Sequence, residues 1–377
     1  IEESALVMGA PRWRIMRTIT FPLVIPSIAA GAIIVFIKAL GNFGVPAILG
    51  GEYYVLPTMI YFQVHGFFNL NGASAIAMVN VLLTLLAILL MSHVNKGRGH
   101  VTVTGSTRRA VQINGLGARI FANTYCWGLL LIALTPHIMV FYSSFAVRWI
   151  GTLFPTEFGF DNYFRILSEV QVPFTNSIIL ASSATVICVV FGTLTAYTSV
   201  RRRFFGKWAL DLTIMLPFVL PGIVTGVAFL TTFNSGWIIL SGTSTILILA
   251  YCVRRIAYIF RTVSAALGQV DNKLEEASAI CGATWGRTMR KITLPLVSPG
   301  IIAGGILVFA TLISEMSVTI MLYSARWKTM SIAIYEYVIA DELLDASAMG
   351  SIAIVATLLL VFLSSKIIGK SMAEMFR

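Results

Sequence analysis

Charge is what this chain has least of. Of its 377 residues only 11% are Asp, Glu, Lys or Arg, against 57% hydrophobic ones, where soluble chains run near a quarter charged. That shortage excludes an ordinary soluble domain. Cysteine is sparse too. Cys126, Cys188 and Cys252 sit in apolar runs and Cys281 in a polar one, with no metal-ligand spacing among them. They imply no disulfide framework and read as small apolar fillers. A phosphate-binding loop is missing as well. The nearest match, Ser364 to Ser371, lacks the leading glycine and follows an apolar run, where that motif must follow a strand. Nothing in the sequence points to a catalytic residue, a resident metal or a cofactor.

Long apolar runs are abundant. A hydrocarbon core of about 30 Å takes about 20 apolar residues to cross as a helix. Eight stretches reach that length, at roughly 28–50, 75–94, 121–145, 173–198, 208–233, 240–260, 299–323 and 346–368. With a mean hydropathy of +0.86, the chain reads as an all-α, polytopic helical membrane protein with about eight transmembrane helices.

The basic residues orient it. If the N-terminal polar segment is cytoplasmic and the spans alternate, all but five of the 27 Lys and Arg fall on the cytoplasmic side, Arg254 and Arg255 among them. The five are Lys38, inside a span, and Arg148, Arg165, Arg326 and Lys328 on the outer side. So strong a bias favours this orientation over its inverse. The net charge of +11 then reflects membrane topology. A nucleic-acid-binding face would need a folded soluble surface, so no nucleic-acid partner is expected.

The most informative feature is an internal repeat. Glu2-Glu3-Ser4-Ala5-Leu6-Val7-Met8-Gly9-Ala10 leads to Ile19-Thr20-Phe21-Pro22. Glu275-Glu276-Ala277-Ser278-Ala279-Ile280-Cys281-Gly282-Ala283 leads to Ile292-Thr293-Leu294-Pro295. The alignment holds without a gap as far as Leu49 against Leu322. Each copy joins a polar, helix-forming segment to a long apolar run. Gly268 and Gly282 are placed to terminate turns, and small residues at 277–279 and 282–283 leave room for another backbone. Pro295 and Pro299 are placed to restart the chain as a membrane helix. A short helix rigidly joined to a span can pass a push from a soluble partner into the membrane. An ordinary basic loop would not repeat residue by residue.

The two segments resemble the cytoplasmic EAA loops of permease subunits of binding-protein-dependent ABC importers. The second copy matches that pattern at Glu276, Ala277, Gly282 and Ile292 to Pro295, departing at Ser278. The first matches at Glu3, Ala5, Gly9, Ile19 and Pro22, departing at Ser4 and Phe21. The resemblance implies the ABC importer permease fold, with Glu3, Gly9, Glu275, Glu276, Ala277, Ser278 and Gly282 coupling the chain to a separate ATP-binding subunit dimer. It further implies a periplasmic or lipoprotein solute-binding protein, surrounding membrane lipid, and a place in the bacterial inner membrane. Phe43 to Gly51, Leu56 to Tyr61, Glu315 to Tyr323 and Thr329 to Tyr335 resemble the ferric-iron-type permeases, which are fused two-half chains. Permeases for aminoethylphosphonate, polyamine, thiamine and sulfate share much of this layout. A secondary transporter would also show repeats, but needs no pair of soluble-facing coupling loops.

Two spans follow each copy, and four precede the second. The expected organisation is residues 1–94 as the C-terminal part of a first permease half and 95–120 as a polar, Gly-rich cytoplasmic linker. Residues 121–377 then form a complete six-span second half, the whole being the C-terminal portion of a longer chain. Lys38 and Glu315 are the charges well inside spans, and the repeat aligns Glu315 with Asn42. An unpaired charge there costs about 2.5–3.5 kcal/mol, so both should turn inward. The expectation is that Lys38 and Glu315 meet across the pathway, with Asn42 as the third pathway residue.

Overall fold

The structure, a computed structural model, describes residues 2–95, 115–149, 152 and 154–375. Helices α1 (Glu2–Val7) and α2 (Arg12–Ile15) lead through a π-helical turn, Met16–Thr20, into α3 (Phe21–Leu40). After a break come α4 (Gly44–Leu49), α5 (Leu56–His65) and α6 (Leu70–Asn95). Most of the expected linker, His100 included, lies outside the described residues, and α7 (Leu116–Ser144) is already helical before residue 121. Strands β1 (Ala146–Arg148) and β2 (Glu157–Phe158) form an antiparallel hairpin. Then follow α8 (Asp161–Arg201), α9 (Lys207–Val219), α10 (Gly222–Phe233) and α11 (Ser244–Gln269). The second repeat runs α12 (Lys273–Ile280), α13 (Trp285–Thr288), a π turn at Met289–Thr293 and α14 (Leu294–Ile313). The chain closes with α15 (Thr319–Leu322), a 3-10 turn, α16 (Met330–Ile339) and α17 (Leu343–Met375).

Among the described residues five helices are long and apolar enough to cross a membrane, and two bent pairs bring the number to seven. One pair, Arg12–Ile25 with Ser27–Leu40, bends by 46°, and the other, α9 with α10, by 110°. Helix α11 has 26 residues but carries Arg254, Arg255 and Arg261, which set it apart from the strictly apolar spans. Counting it recovers the eight apolar blocks.

Several boundaries shift for local reasons. The blocks at 28–50 and 299–323 each hold a helix end, because Gly41-Asn42 and Ser314-Glu315 break the chain after α3 and α14. The block at 208–233 is split at Pro221. A proline disfavours helical backbone in the residue before it, and Leu220 is extended at ψ 141°. Past α7, the hairpin strands and the first turns of α8 hold Arg148 and Arg165, which the charge bias placed on the outer side. Asn162 ties hairpin and helix together, donating from Nδ2 to Ser144 O at 3.0 Å and Ala146 O at 2.8 Å.

Helix α11 sits at the centre of the bundle, between α8 and α14. Small residues permit the approach. A Cβ on Gly192 of α8 would stand 2.7 Å from Cβ of Ile259, and one on Gly300 of α14 would stand 2.8 Å from Cβ of Ala266. Leu247, Tyr251 and Ile259 are buried there. By contrast Leu130, Leu131 and Ile132 of α7 are exposed, an apolar surface suited to lipid. Cys188 and Cys252 are buried free thiols in this core. At 41 residues, α8 is about 60 Å long, and its two ends define two sides. The hairpin lies at one end and the second repeat at the other.

Candidate functional site

The two repeats share backbone detail as well as sequence. Helices α1 and α12 each run out into a left-handed glycine, Gly9 at φ +81° and Gly282 at φ +78°, a conformation glycine adopts without steric cost. Paired hydrogen bonds close both ends in a Schellman motif. Gly9 N–H donates to Leu6 O at 2.9 Å and Ala10 N–H to Ala5 O at 3.0 Å. In the second copy Gly282 N–H donates to Ala279 O at 2.9 Å and Ala283 N–H to Ser278 O at 3.1 Å.

From there each copy is helical without interruption into its span. The expected restart at Pro295 does not occur. The chain is already helical from Trp285, and the π turn absorbs the proline, whose missing N–H leaves an i−4 carbonyl without its donor. Leu294 N–H reaches back five residues to Met289 O, and Phe21 N–H likewise to Met16 O. Pro299 lies inside α14. Helices α2 and α13 are therefore continuous with the spans, and α1 and α12 meet them across the glycine turns.

The expected coupling residues divide into two groups. Glu275 and Ser278 face the bundle. Thr293 Oγ1 donates to Glu275 Oε1 at 3.2 Å, and Tyr197 OH to Oε2 at 2.9 Å. Arg201, the last residue of α8, pairs with the same carboxylate at 3.2 Å. Ser278 Oγ lies 2.9 Å from Thr288 Oγ1. In the first copy Thr20 Oγ1 meets Glu2 Oε1 at 2.5 Å, the same bond at the equivalent positions. Glu276, Ala277 and Gly282 face outward, and no atom lies within 4 Å of where a Cβ on Gly9 or Gly282 would stand. Beside them Val7 is 89% exposed and Ile280 86%. The Glu3 side chain lies outside the described ones.

A second feature lies where α3 and α14 end. A cavity of about 500 Å³ opens between the ends of α3 and α14, walled by Lys38 and Asn42 on one side, Glu315 and Ser317 on the other, and Arg254 and Arg255 of α11. Glu315 accepts a hydrogen bond from Arg254 Nη1 at 2.9 Å and another from Arg255 Nη2. All three side chains are buried. Glu315 Oε1 also accepts the Val318 N–H at 3.4 Å, and Asn42 Oδ1 the Val45 N–H at 3.3 Å. The aligned residues thus cap the same turn in each repeat. The bend at Pro221 packs behind the wall, where a Cβ on Gly41 would stand 3.1 Å from the Pro221 Cβ and one on Gly222 2.8 Å from Arg254 Nη1.

Two expectations are corrected here. Lys38 and Glu315 share the cavity but form no ion pair; the Lys38 ammonium stands 5.3 Å from the Phe218 ring centroid, in cation–π range. The carboxylate is taken by two guanidinium groups, whose planar forks match it better than an ammonium does. Arg254 and Arg255, assigned above to the cytoplasmic side, are buried in the middle of α11. The available signal was their place inside the apolar block 240–260, where a basic pair demands a partner. The run from Ser364 to Ser371 belongs to α17, so its helical backbone forms no phosphate-cradling loop.

The bundle carries, in duplicate, a short surface helix joined by a glycine turn to a helix that runs on as a span. The chain belongs to the family described as the binding-protein-dependent transport system inner membrane component, which matches residues 1–100 and 188–374. It is a multi-pass inner-membrane protein with the ABC permease fold. Over 336 residues it is 35% identical to a Haemophilus influenzae protein named "Putative ferric transport system permease protein FbpB 1", covering 86% of this chain and 52% of that one. Over 379 residues it is 33% identical to the ferric transport system permease protein FbpB of Actinobacillus pleuropneumoniae, covering 98% and 54%. The chain spans about half the length of these relatives. It is also similar in fold to a chain of a bacterial alginate ABC transporter solved with an alginate pentasaccharide-bound periplasmic protein. There the TM-score is 0.54 at 18% identity, over 66% of this chain and 92% of that one.

Proposed function

We propose that this chain forms the translocation pathway of an ATP-driven importer, for a solute delivered by an external binding protein, with ferric iron as the cargo metal. The observation that carries the reading is the duplicated element: α1–α2 and α12–α13 repeat the same left-handed glycine, the same Glu–Thr hydrogen bond and the same π turn. Each offers an exposed apolar residue, Val7 or Ile280, at the end of a short helix that a glycine turn joins to the helix running on into a span. Such an element suits docking on a soluble ATPase subunit, with Glu276, Ala277, Gly9 and Gly282 on the contact face and Glu275 and Ser278 anchoring it. Hydrolysis takes place on the partner. Iron as cargo rests on the similarity to the ferric permeases.

Uptake by the whole transporter in proteoliposomes tests this. Radiolabelled ferric iron on the binding protein should enter only with ATP supplied to the ATPase side. Uptake driven by an ion gradient without ATP would mark a secondary transporter instead.

A further inference from the structure

The cavity between the ends of α3 and α14 carries an imbalance that the importer role alone does not explain. Lys38, Arg254 and Arg255 face it, with Glu315 as the one carboxylate on its walls among the described residues. A bare trivalent cation would meet repulsion there. We propose that this cavity is an oxyanion site. Its ligand is a carboxylate, phosphate or phosphonate-type group that travels either as the cargo itself or as the counter-ligand that makes ferric iron anionic. The inference rests on the importer reading and deepens it, naming the chemical form in which cargo passes.

Three observations support it. A guanidinium carries five N–H donors in a planar fork, and Glu315 occupies one nitrogen on each arginine. The Nε atoms of Arg254 and Arg255 are buried and without a hydrogen-bond partner among the described residues. These two atoms have no surface toward the cavity, so a ligand would meet the other nitrogens of the forks, which match oxyanions in geometry as well as charge. Lys38 adds a third cation from α3, so a ligand held here touches α3 and α11 at once. Ser314 and Ser317 bring hydroxyls to the same wall. A volume of about 500 Å³ suits a small hydrated oxyanion or its metal complex. Glu315 is a positioning residue: it holds the two forks in place and cancels one of their charges, so that a bound anion can leave.

The test uses the whole purified transporter and two ligands, radiolabelled inorganic phosphate and radiolabelled citrate, without iron. At least one should bind saturably. Binding should weaken about tenfold or more in Lys38→Met, which removes a charge-assisted contact. Asn42→Asp keeps the helix cap and the side-chain shape while adding a negative charge, and should weaken binding likewise even if Lys38→Met is poorly recovered. Arg203→Gln, on an exposed loop, should leave binding unchanged. Uptake in proteoliposomes then separates the two sources. Phosphate or citrate entering without iron marks the oxyanion as cargo; entry only in fixed ratio with iron marks it as counter-ligand. Absence of saturable binding, or equal binding by wild type, Lys38→Met and Asn42→Asp, while ATP-driven iron uptake persists, overturns the oxyanion site and leaves the importer standing. Absence of any ATP-driven uptake removes the importer reading, and the cargo assignment falls with it.

Discussion

Arg201 ends α8 in an ion pair with Glu275 at 3.2 Å, so the longest helix of the bundle grips the first turn of α12 directly. Both side chains are largely buried, at 11% and 13% exposure, and Tyr197 and Thr293 share the same carboxylate. Losing a charged hydrogen bond of this kind costs about 1.5–3 kcal/mol. Glu275→Gln should therefore lower ATP-driven uptake about tenfold at normal membrane abundance. Glu2→Gln, where Thr20 is the hydrogen-bond partner among the described residues and loses only the charge of its acceptor, should do less. Equal uptake in Glu275→Gln and wild type would show that this anchor carries no motion.

Gly282 separates strain from docking. At φ +78° an alanine costs about 1 kcal/mol or more, yet open space surrounds the position within this chain. Gly282→Ala should keep most uptake. Gly282→Arg should insert normally and abolish uptake, because its long side chain projects from the proposed contact face. Uptake and membrane abundance, measured together, distinguish blocked docking from misfolding.

Glu315 is expected to matter for stability first. Removing one partner from a buried ion cluster costs about 3–5 kcal/mol, so Glu315→Ala should be strongly destabilised. A double-mutant cycle locates its partner. Arg255→Met with Glu315→Gln should show coupling of about 1–3 kcal/mol, whereas Lys38→Met with Glu315→Gln should add within about 0.5 kcal/mol. Thermal unfolding of the purified protein reads both. Comparable coupling in the two cycles would reinstate a Lys38–Glu315 pair.

How much of this was legible follows from what each signal measures. Hydropathy located the eight apolar blocks because lipid-facing and core-facing helices are alike in composition. For the same reason it ran through the breaks at Gly41-Asn42 and Ser314-Glu315, where the flanking residues remain apolar. The sequence marked Gly282 as a turn terminator, and the repeat sets Gly9 at the equivalent position, but the left-handed backbone of both emerged only in the structure. The repeat did not foretell the π turns, which depend on how the helix before Pro22 and Pro295 continues. Counting basic residues by side hid Arg254 and Arg255, because that count treats every arginine near a span end as surface. Only contact with Glu315, distant in sequence, defines their role.

Sidedness has its own check. Ser168 is exposed near the start of α8, and Phe205, beyond its end, is fully exposed. In a protein with Cys126, Cys188, Cys252 and Cys281 replaced by alanine, Ser168→Cys should label from outside and Phe205→Cys from the cytoplasmic side with a membrane-impermeant thiol reagent. Same-side labelling would remove α8 as a span.

Crosslinking at the tips of the duplicated element tests ATPase docking most directly. Val7 and Ile280 are 89% and 86% exposed on the turns that precede Gly9 and Gly282. In the cysteine-free background, Val7→Cys and Ile280→Cys should each crosslink to an ATP-binding subunit in the assembled transporter, with a yield that changes when ATP binds. If both cysteines stay freely reactive toward a soluble thiol reagent in an active transporter and crosslink to neither subunit, the duplicated element is not the dock.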